Sequence, residues 1–187
     1  MAGLAERRGS DADSFWSWRE TMYAFAARIT PDDLQAIAAQ LYVELLRGGY
    51  TQVCEFHYLH HEPDGHPYAD PAAMSRALFA AADEAGIGIT LLPVLYMQGG
   101  FDGRALSKRQ TRFGHNVDAF LRLFGTLRAE QTETRRVGIA FHSLRAVRGR
   151  YAGCSITRAS MRAGRWCTQP IWTRLKCRAL PRAEQPW

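Results

Sequence analysis

The chain has little of what marks many small protein classes. No apolar run reaches the roughly 20 residues that a membrane-spanning helix needs. The opening Met1-Ala2-Gly3-Leu4-Ala5-Glu6-Arg7-Arg8 lacks the apolar middle of a secretory leader, so a cytoplasmic protein is the expectation. The four cysteines form no CxxC pair and suggest no disulfide framework. No phosphate-cradling Gly loop, nucleophile elbow or dinucleotide fingerprint occurs. These absences set aside membrane spans, disulfide scaffolds and the common nucleotide-binding signatures.

What is present is apolar residue in quantity. At 47% hydrophobic, 187 residues can bury a core, but they are short for a complete α/β barrel of about 250. The net charge of +6 is unevenly spread. From Arg148 onward nine Lys and Arg face a single acid, Glu184, while the first 147 residues hold 15 bases and 17 acids. Cys154, Cys167 and Cys177, with Trp166, Trp172 and Trp187, also lie beyond Arg148. Body and tail are therefore read separately, as 1–147 and 148–187.

In the body, helix, strand and polar loop alternate, the rhythm of a parallel α/β domain whose chemistry gathers at the carboxyl ends of its strands. Ser14 caps an expected helix with Phe15, Trp16, Trp18, Met22, Phe25 and Ala26 on one stripe. Arg19 sits within those aromatics, either as a snorkelling surface residue or as a held anion binder. Thr30-Pro31-Asp32-Asp33 is a helix start, and Leu34, Ile37, Ala38, Leu41, Leu45 and Leu46 give its apolar spacing. Gly48-Gly49 ends it and leads into a strand near 50–57. Asp70-Pro71 launches the next helix, which ends at Gly86.

Residues 87–94 form a near-continuous apolar run, as in a strand covered on both faces, and Pro93 is expected to mark its end. The segment 97–108 reads as a long Gly-rich loop, followed by a helix over 112–130. A third strand spans 135–142, with Val137, Ile139 and Phe141 on one face and Gly138, Ala140 and His142 on the other.

Two groups of residues could carry chemistry. His57, His60, His61 and His66 crowd one stretch, but their spacing matches no specific ligand pattern, so hydrogen-bonding and loop-shaping roles are favoured over zinc. At another strand end, His142-x-x-Arg145 pairs with Tyr58; a guanidinium, an imidazole and a phenol meeting above strand ends would suit a carboxylate.

Four stretches carry a resemblance to a known family. They are Ser14-Phe15-Trp16-Ser17-Trp18-Arg19-Glu20-Thr21-Met22-Tyr23, the run from Gly49 to His61, the run from Gly86 to Tyr96, and Phe141-His142-Ser143-Leu144-Arg145-Ala146-Val147. Together they resemble formiminoglutamate deiminases of the amidohydrolase superfamily, over residues 1–147. The resemblance implies part of a zinc-dependent (β/α)8 TIM barrel, about strands two to four with their helices. It further implies hydrolysis of the formimino group of N-formimino-L-glutamate to N-formyl-L-glutamate and ammonia, in histidine breakdown.

Carried over by position, Arg19, Tyr58, His142 and Arg145 are the implied substrate-binding residues. The substrate would be the small-molecule partner, with a homodimer open to the intact enzyme and neither membrane nor nucleic acid expected. If Tyr58 faces inward, Glu55 and His57 turn toward the helices, where they need partners. The family's metal ligands, a His-x-His on the first strand, a His on the fifth and an Asp on the eighth, have no counterpart here, and no catalytic residue is assigned. Residues 148–187 lack periodicity and read as an aberrant basic tail from out-of-frame translation, so the chain is expected to be an inactive fragment. Two other readings remain at this stage: a related deaminase acting on a guanine-like ring, and a nucleic-acid-binding arm formed by the tail.

Overall fold

The computed structural model describes residues 15–143 and 145–147. The cap expected at Ser14 and the reading of 148–187 lie outside the described residues. The element order is α1 (Phe15–Ala26), α2 (Pro31–Arg47), β1 (Gln52–His57), α3 (Ala73–Ala85), β2 (Gly88–Leu95), α4 (Val117–Ala129), β3 (Arg135–Val137) and β4 (Ala140–Phe141). β1 and β3 flank β2, and every pairing is parallel, from Gln52 opposite Gly88 to His57 opposite Pro93 and from Ile89 opposite Arg135 to Leu91 opposite Val137. β4 pairs with the far end of β2, Val94 opposite Ala140 and Leu95 opposite Phe141. The fold is the expected α/β one, a parallel sheet wound with helices and not closed.

Local chemistry explains most boundaries. At the start of α2, Thr30 Oγ1 accepts from the Asp33 N–H at 3.2 Å while the Thr30 N–H donates to Asp33 Oδ2 at 3.0 Å, a complete capping box with Pro31 behind it. α3 ends on Gly86 at φ +79°, a left-handed turn that a side chain would resist. It begins later than Asp70-Pro71 suggests. Asp70 Oδ1 accepts from the Ala72 N–H at 3.0 Å, which spends the capping oxygen on a turn ahead of the helix. α4 likewise starts at Val117 rather than 112, because Thr111–Phe113 forms a single 3-10 turn and Asn116 Oδ1 caps the helix through the Ala119 N–H at 2.8 Å.

Pro93 does not end its strand. The Ile89 N–H donates to Thr134 O and the Gly138 N–H donates to Leu91 O, so alternate residues of β2 turn their backbone polar groups toward β3 and β4. Pro93 falls in that series and has no N–H. The missing donor leaves β2 whole and interrupts its neighbour, which is why the single strand expected over 135–142 appears as β3 and β4.

Strand alternation sorts the sheet into two faces. Ile89, Leu91, Val53 and Val137 pack under α2, α3 and α4 with Tyr42, Phe79 and Leu127. Ile139 and Phe141 join Leu95 and Phe120 farther along the same face. Cys54, an exposed free thiol, and Phe56, 47% exposed, lie on the opposite, uncovered face. Two helical stripes differ from their expected outline. Among the described side chains of α1, Tyr23 and Ala26 are buried and Trp18 is exposed, and α2 buries Ala38, Ala39 and Tyr42 while Ile37 and Leu41 face out. Burial follows the 3.6-residue period from the true contact line, which a count of apolar residues does not locate.

Candidate functional site

The turn toward the helices that the sequence demands of Glu55 and His57 is observed. Glu55 Oε2 accepts from Tyr42 Oη at 2.9 Å, and burial raises the Glu55 carboxyl above its usual range. His57 is buried, and its Nε2 has no hydrogen-bond partner. It is one of four packed imidazoles: His57 and His60 lie 5.1 Å apart by ring centroid, His60 and His115 4.5 Å, and His61 and His115 4.7 Å.

His115, which the sequence reading passed over, completes this cluster from the end of the 97–116 loop. His66, read with the others, instead sits exposed against Asp64 at 3.1 Å. Desolvation lowers the His57 imidazole to about 4 and the His115 imidazole to about 3, so both are neutral at physiological pH.

Arg112 ties this cluster to α1. Its buried guanidinium donates through Nε to His61 O at 2.9 Å, through Nη2 to Ile29 O at 2.8 Å, and through Nη1 to Ala26 O. Its own carbonyl accepts from the His60 and His61 N–H groups. The sequence reading placed Arg112 at the start of a helix; only the tertiary fold shows it as a bolt between loops.

Of the four implied substrate-binding residues, Tyr58 follows β1 and His142 and Arg145 follow β4, whereas Arg19 is carried by α1. The Tyr58 and His142 rings meet at 5.5 Å, and Phe56 flanks both at 5.8 and 6.2 Å. Tyr96, just beyond β2, packs 4.6 Å from His142. Arg19 donates to Tyr23 Oη through Nε at 3.2 Å and Nη2 at 2.9 Å, its guanidinium 5.1 Å from the Tyr23 ring centroid. Burial lowers the His142 imidazole and the Arg145 charge lowers it further. Burial raises the Tyr96 phenol, against the opposing pull of Arg145 and Arg19.

The His142 imidazole thus packs against two phenol rings, those of Tyr58 and Tyr96. Tyr23, Tyr96 and Phe113 form the apolar floor. The sequence reading gives none of these floor residues a role in the site. Their signal was weak: aromatic residues in three separate elements with no shared spacing.

A cavity of about 550 Å³ lies elsewhere, lined by His61, Asp70, His115, Asn116 and Arg122 among others, and by none of the four. The zinc that the family resemblance implies does not fit the residues at hand. Among the described residues no three His, Cys, Asp or Glu converge to hold an ion, and His60 Nε2 and His61 Nε2 are turned to the Val94 and Gly114 carbonyls.

A parallel β/α sheet with cationic and aromatic residues at its strand ends defines an amidohydrolase-like segment. A solved amidohydrolase from Brucella melitensis superposes with a TM-score of 0.74 at 53% identity, over 79% of this chain and 33% of its own. A zinc- and atraton-bound E241Q mutant of atrazine chlorohydrolase TrzN from Arthrobacter aurescens TC1 shares the fold at a TM-score of 0.59 and 17% identity, over 78% of this chain and 32% of its own.

The particular relative in sequence is the formimidoylglutamate deiminase of Pseudomonas aeruginosa, 53% identical over 148 residues, which are 79% of this chain and 33% of the relative. The resemblance to formiminoglutamate deiminases of the amidohydrolase superfamily is thus borne out, and the chain spans about a third of the length of the relatives it matches. No family model matches the chain. No helix among the described residues is long and apolar enough to cross a membrane.

Proposed function

We propose that this chain forms the substrate-gripping segment of a formimidoylglutamate deiminase. Arg19, Tyr58, His142 and Arg145 would hold N-formimino-L-glutamate by its two carboxylates. Hydrolysis would break the C–N bond of its formimino group and release ammonia. The observation that carries this reading is the packing of the Tyr58 and Tyr96 rings on His142, at 5.5 and 4.6 Å by ring centroid, with the Arg19 guanidinium held on the Tyr23 hydroxyl.

Guanidinium forks match carboxylates in shape as well as charge, and the half-buried, aromatic-floored setting strengthens each such pair relative to open water. His142, kept neutral by burial and by Arg145, can offer either one donor or one acceptor to the ligand. The described residues supply a grip and no metal cradle, so the chain alone binds without hydrolysing.

The test is titration calorimetry of the chain with N-formyl-L-glutamate, the dicarboxylate product, beside an ammonia assay with N-formimino-L-glutamate and added zinc. Binding that Arg145→Ala weakens by at least tenfold, with no ammonia, is the expected outcome. Binding indifferent to Arg19→Ala and Arg145→Ala would overturn the grip, and zinc-dependent ammonia release would overturn the division of labour.

A further inference from the structure

We propose that the cavity of about 550 Å³ between the 61–72 loop and the start of α4 binds a small oxyanion group, a phosphate or a carboxylate, through Arg122, Asn116 and His115. The inference goes beyond the dicarboxylate reading above, since Arg19, Tyr58, His142 and Arg145 do not line this cavity.

The wall has donors to spare. Asn116 caps α4 with its side-chain oxygen, which accepts from the Ala119 N–H at 2.8 Å. That bond assigns the two ends of the amide, and the NH2 end, with two protons, meets no acceptor among the described residues. The Phe120 N–H is taken by the Asn116 carbonyl, whereas the Val117 and Asp118 N–H groups ahead of it have no carbonyl within the helix to reach. A helix start attracts anions because its free N–H groups and its dipole act together. Charge adds to this. Asp70, the one carboxylate of the wall, is already bonded to Arg76 and to the Ala72 N–H. Arg122 is the one cation of the wall, and among the described residues no carboxylate pairs with it.

The imidazole beside that helix start is itself short of a partner. His115 is 8% exposed and lines the cavity, and its Nδ1 is buried with no hydrogen bond. No described group bonds its Nε2 either, which leaves Nε2 as the ring atom able to reach the cavity. A buried polar side chain ordinarily finds a partner. His61, the other imidazole of the wall, has done so by donating through Nε2 to Gly114 O at 2.6 Å. What would satisfy His115, the Asn116 NH2 and a guanidinium together is an acceptor with several lone pairs and negative charge, which is an oxyanion.

The experiment titrates inorganic phosphate and acetate separately into the full chain, followed by nuclear magnetic resonance of the backbone amides, with thermal melts as the fold control. Saturable shifts centred on the amides of residues 116–119 are expected, and the anion that saturates them at the lower concentration identifies the head group. Arg122→Ala, at an exposed position, should weaken that binding at least about tenfold. Asn116→Asp keeps a capping oxygen, and with it the helix and the melting midpoint, but replaces the NH2 donor with a negative charge, so the shifts should vanish. Arg145→Ala should leave them as they are.

If neither anion moves these amides, or if the shifts survive both Arg122→Ala and Asn116→Asp, the proposal is wrong. Loss of the shifts in Arg145→Ala would overturn it too, by assigning the anion to the dicarboxylate site. Failure of N-formyl-L-glutamate to bind, with the phosphate or acetate shifts intact, would count against that site alone.

Discussion

Two histidine-bearing regions face away from each other across one sheet, and they do opposite things with the same side chain. Behind it, His57, His60, His61 and His115 pack ring against ring, kept neutral by desolvation, with unpartnered nitrogens on three of them. In front of it, His142 is half-buried, touches Tyr58 and Tyr96, and feels the charge of Arg145. The crowded stretch of histidines that draws the eye in the sequence is structural, while the lone one is at the candidate site. Local density of imidazole says little; the company of cations and phenols says more.

Acid should break the comparison most severely. A buried histidine whose imidazole titrates near 4 when folded but near 6.5 when unfolded binds its proton more readily in the unfolded chain. Stability contributed this way is intact above pH 6.5 and falls as the pH drops toward 4, by about 1.4 kcal/mol per pH unit for each such group. Denaturant melts between pH 7 and 4.5 should show that slope, and His57→Leu should reduce it by one proton's worth. His142→Asn should also reduce it, because burial and Arg145 lower that imidazole as well.

Removing the bolt comes next. Arg112→Met leaves three carbonyls that the guanidinium had served, on Ala26, Ile29 and His61, and should destabilise by about 3 kcal/mol in urea titration. A smaller loss is expected from Tyr42→Phe, which strips the half-buried Glu55 carboxyl of its donor, at about 1–2 kcal/mol near neutral pH. The smallest effect belongs to the front of the sheet: His142→Asn should change stability by under about 0.5 kcal/mol while weakening binding of N-formyl-L-glutamate. A large stability loss there would show that His142 is structural after all, and the contrast between the two faces would dissolve.

Much of this architecture was legible where chemistry acts locally. The Thr30–Asp33 box, the Gly86 turn, the apolar run of β2 and the alternation through Val137, Ile139 and Phe141 all depend on neighbours in sequence. What escaped depends on distant partners. Pro93 reads as a strand terminator until the ladder shows that its missing donor falls on the neighbour's side. Arg112, His115 and the Gln110–Tyr96 pair each act across dozens of residues or in a loop whose course no periodicity predicts. Tyr58, His142 and Arg145 were singled out together because they lie at strand ends, where an α/β fold gathers its chemistry.

The interruption opposite Pro93 has a mechanical meaning. It splits one zipper into two, an inner one through Val137 and an outer one of only two residue pairs, and the outer one carries His142. The tip can therefore breathe while the base stays shut. Amide deuteration at Phe141 and His142 should run well ahead of that at Leu91, so the imidazole rides on a springboard anchored by a rigid plank.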